Sequence, residues 1–303
     1  MASARDARPP PESLAWVCEE LGPGSRIASV AYLKGSSFLR NHAIDVRDRG
    51  GTIHRLVLRR WAGLGWEETD REFDAAREVA VLELLAGSDV PAPRLVAADL
   101  RGERTDVPAV LMTRLPGRSP PDRPPELRSF LVELATVLEA IHSVDGRAVE
   151  VVPAYRRYYE PRELAVPTWA GDPSVWRRAI AVVHEAPPDG RHCFIHRDFH
   201  PGNTLWSGGR ISGVVDWSYG SWGSPAIDLA HLRWNIALDF GVRGADEALT
   251  AHRAVRGAAV DHHPYWDLVD VLDLIADIDP ADPLPRDGRD RLEAYVSAVL
   301  MSL

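Results

Sequence analysis

Apolar residues follow two different rhythms along this chain. Up to about residue 112 they come in short alternating runs, which predict strands over 27–33, 38–46, 53–59, 95–98 and 109–112. Gly50-Gly51 supplies a tight turn between the second and third runs, so these two should form an antiparallel hairpin. Two helical patterns interrupt the strands. One spans 12–21, with Leu14, Val17 and Leu21 on one side and Gly22 beyond its end; the other spans 72–85 and is stopped by Gly87. From residue 126 the period lengthens to 3.6. Leu127, Phe130, Leu131, Leu134, Leu138 and Ile141 mark a helix over 126–142, and further helices are predicted over 175–183, 227–237, 266–275 and 291–300. Between the two regimes lies a polar stretch, 113–125, with five prolines and one glycine. The expected organisation is an N-terminal extension with a short helix (1–24), a small strand-rich lobe (25–112), a hinge (113–125) and a larger helical lobe (126–303). The fold class is α+β with a five-stranded antiparallel sheet. No internal repeat is present.

Size and composition narrow the function. At 303 residues, 45% hydrophobic and 26% charged, the chain reads as an ordinary globular protein with one large or two unequal domains. The net charge of -9 opposes nucleic-acid binding, and no apolar run of membrane-spanning length occurs. The N-terminus lacks the apolar core of a secretory signal, and the two cysteines, Cys18 and Cys193, give neither a disulfide framework nor a zinc spacing. A reducing cytoplasm is the expected setting.

One passage of the helical half breaks its rhythm. From Cys193 to Trp217 the chain reads CFIHRDFHPGNTLWSGGRISGVVDW. An apolar entry strand leads into a polar loop, and a hairpin then brings Asn203 and Asp216 to the same end across thirteen positions. Asp216 and the Asn203 carbonyl oxygen suit Mg2+, which takes hard oxygen ligands and few carboxylates. Asp198, five residues before Asn203, can orient an incoming hydroxyl and take its proton during phosphoryl transfer. Ordinary turn chemistry is the competing reading for all three residues. His196 can act as a base, or bond to backbone and hold the loop; His200 faces a similar choice. The HRDFH string also invites a transition-metal reading, but no second histidine group accompanies it.

A phosphotransfer centre needs a nucleotide. In LVLR, Val57 and Arg59 share a strand face, so Val57 can lie on a base while Arg59 reaches phosphates. Glu78, on the following helix, can hold Arg59; the alternatives are a solvated strand edge for Arg59 and a surface pair with Arg71 or Arg77 for Glu78. The turn at Gly35, Ser36 and Ser37 can present backbone N–H groups to phosphate. Met112 to Leu115 runs from strand to linker, where exposed backbone can meet an adenine edge and Met112 can equally be core filler. Neither a P-loop nor a dinucleotide fingerprint occurs.

Together these segments resemble the aminoglycoside phosphotransferase-like kinases, a protein-kinase-like group that includes choline, homoserine and macrolide kinases. HRDFHPGNTLW followed by GVVDW fits the family pattern H-x-D-x4-N and then Asp, and LVLRR, REVAVLELL, LMTRLPG, LEAIHS and GSPAIDLAH complete the order from about residue 25 to 300. The resemblance implies a bilobal protein-kinase-like fold and ATP- or GTP- and Mg2+-dependent transfer to a small-molecule hydroxyl. It implies Asp198 as base, Asn203 and Asp216 as metal ligands, and Arg59 with Glu78 at the phosphates. Thr113 and Leu115 become hinge contacts and Met112 the back of the adenine pocket, while Asp228 braces the catalytic loop. Two departures stand out. Arg197 replaces a glycine common between the His and the Asp, and the phosphate loop is poor in glycine.

The acceptor is less legible. From 261 to 290 there are nine aspartates against two arginines, and Asp267, Asp270, Asp273 and Asp277 recur at helical spacing. That is either an acidic wall for a cationic acceptor, such as an amino-sugar antibiotic, or a solvated helix face. Trp234 and Trp266 either line such a pocket or fill the core. Choline, homoserine or sugar kinases would share every residue named, and an inactive nucleotide-binding module is the remaining class.

Overall fold

The computed structural model describes residues 8–34, 39–62, 74–144, 148–257, 262–278 and 284–303. The predicted phosphate turn at Gly35, Ser36 and Ser37 lies outside them. The chain divides into two compact units. The first holds residues 1–117 together with 212–220, and the second holds 118–211 and 221–303. The return of 212–220 to the first unit was not visible in the sequence pattern, and it carries Asp216 there.

In the first unit, α1 (Pro11–Glu20) precedes β1 (Arg26–Leu33), β2 (Arg40–Arg47) and β3 (Ile53–Arg60). Helix α2 (Ala75–Leu85), β4 (Leu95–Asp99) and β5 (Ala109–Thr113) follow. The sheet is antiparallel throughout in the order β1-β2-β3-β5-β4. The β2–β3 turn closes as its residues require: Asp48 accepts from the Thr52 and Gly51 backbone, and Gly51 takes the left-handed φ of +91° that favours glycine.

Pleating assigns the two faces. Ile44, Val46, Leu56, Leu58 and Leu111 point to one side and bury against Trp16 and Val17 of α1. Asn41, Val57, Arg59, Val110 and Met112 belong to the opposite face, with Val57 directly across from Met112 and Arg59 across from both Asn41 and Val110. Asp74 caps α2 by accepting from the Arg77 N–H at 2.7 Å. From that helix the Arg77 side chain reaches the carbonyls of Tyr219 and Gly220 at 3.0 and 3.1 Å, fastening the 212–220 segment to its unit. Gly213 packs closely in that segment: a Cβ there would sit 2.6 Å from the Leu115 Cδ1, so the Leu115 side chain would have to move.

The second unit is mostly helical. It contains α3 (Leu127–His142), α4 (Ala148–Val151), α5 (Pro173–Val183), β6 (Cys193–Ile195), β7 (Thr204–Ser207) and the start of β8 (Arg210–Val214). β9 (Ser221–Gly223), α6 (Pro225–Arg256), α7 (Pro264–Asp277) and α8 (Arg286–Met301) complete it. Proline at the first turn starts α5, α6 and α7, and Ser224 caps α6 through the Ala226 N–H. Helix α6 outruns the predicted 227–237. It breaks at Gly241 (φ +71°) and resumes, because Ala245, Ala248, Leu249 and His252 continue its buried stripe. The core gathers Trp176, Ile195, Ile227, Trp234, Trp266, Leu272 and Tyr295. Among the described residues, no helix is long and apolar enough to cross a membrane.

Replacing Arg77 with Met removes the donor from the buried Gly220 carbonyl and the part-buried Tyr219 carbonyl at similar volume. We expect a loss of about 2 kcal/mol in urea-denaturation stability; a loss under about 0.5 kcal/mol would show that Arg77 does not hold the 212–220 segment.

Candidate active site

In the first unit the candidate residues Glu78 and Asp216 converge on Arg59. Its strand lies between two others, so Arg59 is only 6% exposed and is not a solvated edge. A buried guanidinium must have its donors met. Nη1 donates to Glu78 Oε1 at 2.7 Å, Asp216 Oδ1 at 2.9 Å and Ser218 Oγ at 3.1 Å, while Nε donates to Asn41 Oδ1 at 3.1 Å. Glu78, 1% exposed, is a buried partner and not the surface pair that was the alternative. Burial pushes the Glu78 carboxyl up to about 7, and the Asp216 charge adds to this against the pull of Arg59. Arg59 itself stays cationic: its burial disfavours the charge, but Glu78 and Asp216 outweigh this and raise its pKa.

Asp216 adopts a left-handed backbone, φ +68° and ψ 61°, which costs a non-glycine residue about 1 kcal/mol or more. The bond to Arg59 holds its Oδ1, and the side chain remains 29% exposed. Its Oδ2 takes no hydrogen bond among the described residues, leaving a hard anionic oxygen available. Val57 and Met112 lie side by side on the Arg59 face, with Met112 buried and Val57 half-buried. The Thr113 N–H is committed to the Arg94 carbonyl at 2.9 Å, so that donor does not serve a nucleotide.

In the second unit the centre is the loop after β6. Buried Asp228, at the start of α6, accepts from the His196 N–H at 2.9 Å, the Arg197 N–H at 2.6 Å and His142 Nε2 at 3.0 Å. Burial raises its pKa, but the bond from and charge of His142, with His196, more than offset this and keep the carboxyl below its ordinary range. Arg197 takes a left-handed φ of +71°, which explains why a glycine suits this position. Its guanidinium stacks over Tyr158 at 4.3 Å and Tyr155 at 5.0 Å, contacts that offset the strain. His196 is wholly buried, and its Nδ1 faces the Asp198 N–H at 3.3 Å.

Asp198 is the group presented by this loop, with its side chain 31% exposed. Asn203 turns its amide nitrogen to Asp198, donating to the Oδ2 at 2.8 Å and to the main-chain carbonyl at 2.9 Å. That bonding fixes which end of the amide is nitrogen and leaves the Asn203 Oδ1 as an acceptor. The other carboxylate oxygen meets a residue that sequence reasoning missed. His231 Nε2 lies 3.0 Å from Asp198 Oδ1, and His231 Nδ1 lies 2.9 Å from Asp270 Oδ2. Burial opposes charge on His231, but Asp270 and Asp198 on its two sides push its pKa up to about 10. Burial likewise raises the Asp198 carboxyl, yet the bond and charge of His231, with His200 and His196, hold it well below the carboxylate range. The signal was present: His231 follows Asp228 by three positions, so both share a helix face.

The acceptor-side expectations need correction. Asp267 is completely buried and bonded to Arg233, His262 Nε2 at 2.7 Å and Tyr295 Oη at 2.7 Å, so it cannot wall a cleft. Asp273 is buried too, and Asp270 serves His231 and Trp234 Nε1. Trp234 and Trp266 belong to the core. Helical spacing grouped these aspartates but could not say that Asp267 and Asp273 turn inward while Asp277 stays exposed. A cavity of about 310 Å³ lies instead beside the catalytic loop, lined by His200, Pro201, Gly202, Phe240, Asp122 and Asp239 among others. Burial and the neighbouring Asp122 raise the Asp239 carboxyl against the pull of Arg291. A larger cavity of about 470 Å³, near Arg233 and Tyr295, shares no residue with this loop.

Residues 34–264 match the model of the phosphotransferase enzyme family, APH, and the chain belongs to that family. It is therefore a small-molecule phosphotransferase with a protein-kinase-like fold. Solved structures of similar fold include a Ralstonia eutropha JMP134 protein assigned to the aminoglycoside phosphotransferases. It has 16% identity and a TM-score of 0.67, with 97% of this chain and 99% of that one covered. The aminoglycoside phosphotransferase APH(4)-Ia, solved as a thermostable mutant with ADP and hygromycin B, has 17% identity and a TM-score of 0.65 over 95% and 98% of the two chains. The macrolide 2'-phosphotransferase MphH of Brachybacterium faecium has 19% identity and a TM-score of 0.54 over 96% and 93%. No curated protein matches the chain in sequence.

Because the folded pKa of His231 lies above its unfolded value, its contribution to stability is complete below about pH 6.5 and is lost as pH rises through about 10. His231→Gln should cost about 3 kcal/mol near pH 6, since it leaves two facing carboxylates without a cation. The gap to wild type should narrow towards pH 10. A gap constant from pH 6 to 10 in chemical denaturation would show that His231 is not held as a cation.

Proposed function

We propose that the protein transfers the γ-phosphoryl group of ATP, or of GTP, to a hydroxyl of a cationic small molecule in an Mg2+-dependent reaction. The observation that carries this reading is Asp198, fixed by Asn203 on one oxygen and His231 on the other. A carboxylate so placed orients the acceptor hydroxyl and receives its proton as the O–P bond forms, so its low pKa suits proton transfer late in a loose transition state. Residues 25–112 would then serve as the nucleotide lobe, 113–125 as hinge and 126–303 as catalytic and acceptor lobe.

On the donor side, Val57 and Met112 offer an apolar surface for the base and Leu115 a backbone contact, while Arg59, braced by Glu78, offers charge to the phosphates. The free oxygens of Asp216 and Asn203 are hard donors that fit Mg2+, and they would hold the ion that offsets phosphate charge. His196 and Asp228 act by holding the loop. ADP and hygromycin B in the APH(4)-Ia structure support a nucleotide and an amino-sugar acceptor. The cavity beside His200, with carboxylates at Asp122 and Asp239 and an aromatic wall at Phe240, favours a cation over a neutral sugar. A reducing cytoplasm suits a chain whose two cysteines are both free.

Asp198→Ala should leave Mg2+-nucleotide affinity within about threefold of wild type and lower kcat by about 10²–10⁴. Retained turnover would remove the base assignment. For Asp216→Ala we expect loss of Mg2+-dependent nucleotide binding in titration calorimetry, and affinity unchanged across Mg2+ concentrations would rule out a ligand role. The acceptor class is tested by offering aminoglycosides, macrolides, choline, homoserine and neutral sugars with either nucleotide. Turnover of neutral sugars alone would overturn the cationic assignment.

A further inference from the structure

A second cluster in the helical unit is not used by phosphoryl transfer. Glu139 and His142 stand one turn apart on α3, and His252 stands near the end of α6. One donor atom from each lies within 4.8 Å of the other two. Both histidines are buried, 2% and 3% exposed, in surroundings that ought to satisfy their polar atoms. Yet the Nδ1 atoms of both have no hydrogen-bond partner among the described residues. His252 Nε2 approaches Glu139 Oε1 to 3.1 Å without the alignment of a hydrogen bond.

We infer that Glu139, His142 and His252 form a binding site for a divalent transition ion, with Zn2+ the best match. Two imidazole nitrogens and one carboxylate oxygen are a common zinc donor set, with water in the fourth position. Zinc bonds of about 2.0–2.1 Å set neighbouring ligands about 3.3–3.4 Å apart in a tetrahedron. The 3.1 Å approach of His252 to Glu139 is already close to that edge. The surroundings have the character of an outer ligand shell. His142 gives its Nε2 to Asp228, the carboxylate–histidine arrangement that leaves the opposite nitrogen as a lone pair for metal. Arg256 donates to Glu139 Oε2 at 3.0 Å and, at 3.3 Å, to Oε1, and so fixes the carboxylate whose Oε1 lies against His252.

The site would join α3 to the far end of α6. Through His142 and Asp228 it would also bear on the backbone of His196 and Arg197. Occupancy by a metal would fix the His142 ring with its Nε2–H directed at Asp228.

The test uses the full chain, metal-free and with any affinity tag removed, titrated with Zn2+ alone in a calorimeter. One equivalent should bind with micromolar or tighter affinity and raise Tm, and Co2+ should give the visible absorption of a four-coordinate site without thiolate ligands. Glu139→Gln and His252→Gln should each weaken binding at least tenfold and abolish the Tm shift. Wild type that takes up no stoichiometric Zn2+, with His252 simply protonated against Glu139, would overturn the proposal. So would a folded Glu139→Gln/His252→Gln double variant that binds as tightly as wild type. If the variants fail to fold, a Co2+ spectrum of wild type lacking four-coordinate bands overturns it equally.

Discussion

The helical unit is organised around one buried charge. Asp228 has no contact with solvent, and an isolated carboxylate there would be prohibitively unfavourable. Its stability depends on three donors, two from the backbone at His196 and Arg197 and one from His142. Supplying two consecutive N–H groups to one carboxylate bends the chain so that Arg197 must enter left-handed space, which in turn sends Asp198 outward. The position of Asp198 thus follows from the need to satisfy a carboxylate that is wholly buried. The tyrosines under Arg197 make that backbone tolerable for a residue other than glycine.

The first unit solves the same problem with the opposite sign. Arg59 is a buried cation, and Glu78, Asp216, Ser218 and Asn41 meet it from separate stretches of chain. Its fixed charge leaves Asp216 with one oxygen occupied and one open. Both units therefore keep a half-exposed carboxylate in place by bonding one edge of it to a protein cation, Arg59 in one case and His231 in the other.

Much of this was readable in advance because it rests on local spacing. Strand alternation placed Val57 and Arg59 on one face, and the turn formers between short apolar runs set Asp198, Asn203 and Asp216 apart from a helical background. Long-range partners were not readable. His231 looked like one more residue of an amphipathic helix, since nothing local shows that α6 passes beside Asp198. The four aspartates of α7 read as a solvated or substrate-facing surface, yet Asp267 is buried against Arg233 and Tyr295. Periodicity gives the composition of a face, and only packing gives what that face meets. The assignment of 212–220 to the first unit was invisible for the same reason, as it depends on Arg77 reaching across more than a hundred positions.

That last feature has a consequence for how the protein comes into being. During synthesis the five strands of the first unit are complete by Thr113, but Arg59 and Arg77 still lack Asp216, Ser218 and the Tyr219 and Gly220 carbonyls. About a hundred further residues, most of them belonging to the other unit, must leave the ribosome before Arg59 gains Asp216 beside Glu78 and before Arg77 reaches the Tyr219 and Gly220 carbonyls. Until then Glu78 and Asn41 are the partners that the contiguous sequence supplies to Arg59, and the acceptors of 216–220 are still missing. The nascent first unit is therefore a waiting state, and its closure depends on contacts of very long sequence separation, which form slowly.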